Sequence, residues 1–138
     1  MQSLAPFPRA DPDSVAFVTR CFLLQVVDAE ELRAWAEEVL AGGEECPIFV
    51  EGLAVFDGVG EEVYRMLGFV PERAFTAARD TALVGIAYDR GRAPRPGSPG
   101  EAEAREALRA HPELADEFRR AFAFLCWEEG SATDRTRP

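Results

Sequence analysis

The sequence predicts an all-α fold, a single-domain bundle of about six to seven helices. Three observations predict it. Apolar residues recur at helical spacing through Leu32, Trp35, Ala36, Val39 and Leu40, the i, i+3, i+4, i+7, i+8 pattern of one buried helix face. Prolines stand where helices begin (Pro47, Pro71, Pro112) and glycines where they end (Gly42, Gly43, Gly68). A second apolar face runs through Leu114, Phe118, Ala121, Phe122 and Leu125. A short strand near 22–27 or 48–56 is the alternative at those two places.

Residues 1–12 are Pro-punctuated and are expected to be loose. Asp13 or Ser14 can cap a first helix running to about Val26. Val15, Val18, Phe22 and Val26 form one stripe; Phe17, Cys21 and Leu24 form another on the opposite side. A helix apolar on two sides belongs in an interior. The second helix opens on Asp28 followed by Glu31, a capping-box pattern with Asp in place of Ser or Thr. Glu30, Glu37 and Glu38 fall on its outer side. Glu37 and Glu38 also stand near the negative end of the helix dipole, where each carboxylate is unfavourable by about 0.3–1 kcal/mol.

Pro47 is placed to start a third helix with Phe49, Leu53 and Phe56 on one face. Ile48-Phe49-Val50 and Gly52 keep a strand open there. A fourth helix is expected from about Glu61 to Leu67, closed by Gly68. Pro71 opens a fifth to about Asp89, with Phe75, Ala78, Ala82 and Ile86 in register. Residues 90–100, RGRAPRPGSPG, read as a loop. Glu101–Ala110 follows, with Glu101 and Arg105 at a favourable i, i+4 spacing. A last helix is expected from Pro112 to about Glu129, within a helical domain spanning 13–129. The tail at 130–138 reads as disordered.

The charge is concentrated. The net charge of −10 equals that of residues 28–62 alone, which hold eleven acids against one Arg, Arg33. The remaining 14 acids and 14 Arg cancel. Such a field repels nucleic acid and anionic lipid and favours a cationic partner; solvated faces that keep the chain soluble have the same composition. All fifteen basic residues are Arg, a bias expected of GC-rich bacterial coding.

The chain is sparsely equipped for catalysis. The single histidine, His111, precedes Pro112 and reads as a helix-start or loop residue. One His builds no HExxH zinc site. No Ser lies in a GxSxG elbow. The glycines match neither a dinucleotide fingerprint nor a P-loop, and no Lys reaches a phosphate. Cys21, Cys46 and Cys126 are odd in number and far apart, and read as reduced thiols at least partly in the core. Adjacent Glu pairs on a helix point in different directions and make no chelate, and no EF-hand spacing is present. Neither catalytic residues, a metal nor a cofactor is therefore assigned. Arg90, Arg92 and Arg95 make a small basic cluster in the 90–100 loop, read as solvated. No apolar run approaches the roughly 20 residues that span a bilayer, and Met1–Arg9 lacks the pattern of a secretory signal. The expected compartment is the cytoplasm, with no membrane and no nucleic-acid partner.

Leu32, Trp35-Ala36-Glu37 and Val39-Leu40, then Pro47 and an apolar segment through Leu53, resemble small helical immunity proteins of bacterial polymorphic-toxin and contact-dependent inhibition systems. The resemblance covers about residues 23–70, with Glu37 where Asp is usual. It implies an all-helical protein that blocks a co-expressed toxin by tight binding. Charge and resemblance together point to a non-catalytic protein-binding module with a cationic protein partner, contacted through Glu30, Glu37, Glu38, Glu44 and Glu45. A structural or regulatory subunit, with a Trp or an aromatic face exposed for pairing, is one alternative. A small carboxylate-dependent enzyme is the other.

Overall fold

The computed structural model describes residues 12–42, 49–68, 73, 75–92, 94 and 96–128. The expectations for the N-terminal segment before Pro12, for Glu44, Glu45, Cys46 and Pro47, for Pro71, for Arg95 and for the tail from 129 lie outside them. The described residues are all-α: α1 (Pro12–Leu23), α2 (Ala29–Ala41), α3 (Phe49–Leu53), α4 (Glu62–Leu67), α5 (Ala77–Asp89), α6 (Glu101–Ala110), α7 (Pro112–Ala121) and a 3-10 turn at Ala123–Leu125. Neither strand alternative forms: 22–27 is the end of α1 and a turn, and the described part of 48–56 is α3 and its exit turn. No described helix is long and apolar enough to cross a membrane.

The chain divides into two compact units. The first holds α1 to α4. On α1 every residue from Val15 through Leu23 is buried apart from half-buried Arg20, which takes in both expected stripes except Leu24, half-buried, and Val26, buried, both beyond the helix end. The Thr19 hydroxyl is satisfied by donating to Val15 O (2.8 Å) or Ala16 O (3.1 Å), as a buried hydroxyl on a helix requires. The helix starts at Pro12, so Asp13 and Ser14 lie inside its first turn and do not cap it. It ends at Leu23 rather than Val26 because Gln25 adopts a left-handed backbone (φ 64°).

α2 forms as its pattern dictates. The Asp28 carboxylate accepts from Glu31 N at 2.8 Å and Glu31 returns by accepting from Asp28 N at 3.1 Å, so both arms of the capping box are made. Leu32, Trp35, Ala36 and Val39 are buried; Leu40, expected on that face, is exposed. α2 packs on α3 and α3 on α4. In α3 the buried pair is Val50 and Leu53, with Phe49 only half-buried. Phe56 meets Phe22 edge-to-face, centroids 5.6 Å apart. Gly68, at φ 84°, closes α4 as a left-handed cap.

The second unit holds Leu24–Val26 and residues 74–138. α5 begins at Ala77, not near Pro71, because the Thr76 side chain caps it by accepting from Arg79 N. α5 packs tightly along α6. A Cβ built on Gly85 would lie 2.5 Å from Ala104 O, so glycine at this position is what lets the two backbones meet. Half-buried Tyr88 donates to Pro99 O at 2.9 Å, fastening the end of the 90–100 loop to α5. α6 spans the predicted residues, and Arg105 Nε reaches Glu101 at 2.8 Å. α7 stops at Ala121, eight residues short of Glu129: Phe122 leaves helical geometry (φ −118°, ψ 49°) and Cys126 is left-handed (φ 54°). Trp127 then folds back edge-on to Phe118, centroids 5.3 Å apart.

Candidate interaction surface

The acidic stretch of 28–62 falls within the first unit. Nine of its acids are described. Eight of them, Asp28, Glu30, Glu37, Glu38, Glu51, Asp57, Glu61 and Glu62, are exposed, and Glu31 is half-buried in the capping box. Of the five predicted contact residues, Glu30, Glu37 and Glu38 all face solvent on α2. The buried Trp35 face lies opposite. No ion pair to Glu30, Glu37 or Glu38 is found among the described residues.

The single Arg of the stretch is directed inward. Half-buried Arg33 donates to Phe56 O at 2.7 Å and approaches Asp57 at 3.8 Å. It ties α2 to the exit of α3 and leaves the outer face of α2 negative. Asp57 itself is 95% exposed. α2 has no basic residue in its last turn, so Glu37 and Glu38 lack the local compensation that a helix C-terminus favours.

The exposed large apolar side chains among the described residues also fall in this unit: Leu40, Val55, Val59 and Met66, with Val55 and Val59 each 74% exposed. Periodicity gave no sign of the two valines, because they flank a loop, 56–58, and not a helix face. Both tryptophans are buried, so neither offers the exposed indole expected of a subunit interface. Among the described residues the buried Trp35 indole N–H meets no hydrogen-bond acceptor.

Elsewhere the candidate groups act within the fold. His111 joins α6 to α7, and its Nδ1 lies 3.1 Å from Glu113. Glu113 sits below its ordinary value of 4.5, first because its own backbone N–H bonds the carboxylate and next because of His111. Arg90, expected in a solvated cluster, is half-buried: it donates to Val26 O at 2.6 Å and lies over the Phe118 ring. Cys21 is buried and Cys126 exposed. A hollow of about 330 Å³ lies between the start of α5 and the 96–99 turn, with Asp80 and Thr81 in its wall; the Thr81 hydroxyl is taken by Ala77 O. Among the described residues no three His, Cys, Asp or Glu side chains converge as a metal-holding group.

Fold and surface together define an all-α protein whose first unit exposes both a set of acids and four large apolar side chains. No family model, curated protein or solved structure matches the chain.

Proposed function

We propose that this protein is a non-catalytic binding module that takes a basic protein partner on the acidic face of its α1–α4 unit. It would neutralise that partner in the manner of the immunity proteins that residues 23–70 resemble. The observation that carries the reading is the one-sided charge: Glu30, Glu37 and Glu38 project from α2 into solvent while Arg33 is turned inward to Phe56 O. A face with acids and no interspersed cation steers a cationic surface to it and disfavours anionic ones. Such steering raises association rates and weakens with salt.

Affinity purification from the native cell at low salt tests it, comparing the wild-type chain with the Glu37→Arg, Glu38→Arg double reversal. A basic protein that co-elutes with wild type and is lost from the reversal supports the reading. Equal recovery with both chains removes this face of α2 as the site.

A further inference from the structure

The geometry points to a second component of that surface: Val55, Val59 and Met66 form an apolar anchor that receives the apolar side chains of a basic, amphipathic protein segment. The inference rests on the binding reading above and adds the class of partner and its docking point.

Local geometry relates the three residues, Val55 and Met66 through Gly52 and Val59 through its backbone N–H. Val55 N bonds Gly52 O at 3.2 Å, a 3-10 turn, and in such a turn side chains three apart align. A Cβ built on Gly52 would lie 2.5 Å from Met66 Sδ, so Met66 lies over the same side of α3 that Val55 extends. Along α4, Met66 and Glu62 are four apart and share a face. Glu62 in turn accepts from Val59 N at 2.8 Å. Val55 and Met66 therefore stand on either side of Gly52, and Val59 adjoins Glu62, on the same helix as Met66, through its backbone N–H. Each Val is 74% accessible.

Acids outnumber the cation around this strip: Glu62 lies within it, Glu51 precedes Gly52 and Asp57 stands between the two valines in sequence, all exposed, while exposed Arg65 adjoins Met66 on α4. Apolar side chains in mainly acidic surroundings match a segment that alternates Leu- or Val-like residues with Arg or Lys. A second copy of this chain is a poorer occupant. A two-fold contact would set the same patch against itself, acids facing acids.

Two synthetic 12-residue peptides test the inference on the full chain: one alternating Arg and Leu at helical spacing, the other with Ser for each Leu and equal charge. Calorimetry at low salt measures affinity, and 15N NMR locates the shifts. The expected result is about tenfold tighter binding of the Leu peptide, the scale of burying one or two such side chains. Shifts should centre on residues 52–66, and Val55→Ser with Val59→Ser should abolish the preference while leaving binding of the Ser peptide unchanged. Equal affinity for the two peptides overturns the anchor but leaves the acidic face standing. A Leu preference that survives the double Val variant also overturns it. If neither peptide binds at low salt, the acidic-face reading falls too. Sedimentation that shows a dimer dissolved by the Val variants assigns the strip to self-association and overturns the proposal.

Discussion

The Trp127 indole N–H donates to Asp89 Oδ2 at 3.0 Å, joining residues 38 apart in sequence. The Asp89 side chain is fully buried, and its other oxygen accepts from Arg105 Nη1 at 3.1 Å. One carboxylate thus fastens the end of α5 to α6 and to the segment after α7. Removing a partner leaves a buried charge less well paired, which is where large stability losses arise. Arg105→Ala should cost about 3 kcal/mol or somewhat less, since the Arg side chain is 28% exposed. Trp127→Phe, which removes one hydrogen bond to a charged group, should cost about 1.5–3 kcal/mol. Urea unfolding followed by circular dichroism measures both; a loss under half a unit for either removes Asp89 as a fastening point.

Gly85 should tolerate no side chain. Its Cα sits against the Ala104 carbonyl, where a new Cβ has 2.5 Å of room and meets backbone. Helix propensity alone favours Ala over Gly by about 1 kcal/mol. Gly85→Ala is nevertheless expected to destabilise, by about 1–3 kcal/mol, because α5 and α6 must separate. The sign of the change in urea midpoint decides between propensity and packing.

Gln25 offers the opposite case. It is exposed, and its φ of 64° is a conformation that side chains resist. Gln25→Gly should raise stability by up to about 1 kcal/mol, the relief of a left-handed non-glycine residue less the entropy glycine adds to the unfolded chain. A rise in melting temperature checks it.

Glu113 gives the pH dependence. Its carboxyl is held below 4.5 by its own backbone N–H and then by His111. A carboxyl with a lowered folded value stabilises the fold above its unfolded value, and that contribution is lost as pH falls through the folded value. Wild type and Glu113→Gln should therefore differ in urea midpoint near neutral pH and converge in acid, below the folded value. A 13C titration of the Glu113 carboxyl reads the lowered value directly.

Much of this structure is legible in the sequence where the determinants are local. The α2 capping box, its Leu32–Trp35–Ala36–Val39 face, the Gly68 stop and the Glu101–Arg105 pair each depend on residues a few positions apart. Asp89 is different. It reads as a polar helix end, and its partners lie 16 and 38 residues away. Gly85 reads only as a helix penalty, because a close approach of another backbone leaves no trace in one segment's pattern. By sequence Pro71 is the stronger initiator, yet it is the Thr76 side chain that caps α5. α7 ends at Ala121 through a backbone turn at Phe122 that its apolar spacing does not encode. On the surface, the acids were legible by charge alone. Val55 and Val59 were not, since nothing in the loop sequence says which way a side chain points.

The affinity of the co-purified basic partner, measured against salt for wild type and for the Glu37→Arg, Glu38→Arg chain, bears most directly on the proposed binding face. Wild-type affinity should fall steeply as salt rises through the physiological range, and the reversal should bind more weakly at low salt with a flatter dependence. Superimposable curves for the two chains, with both folded by circular dichroism, would contradict it.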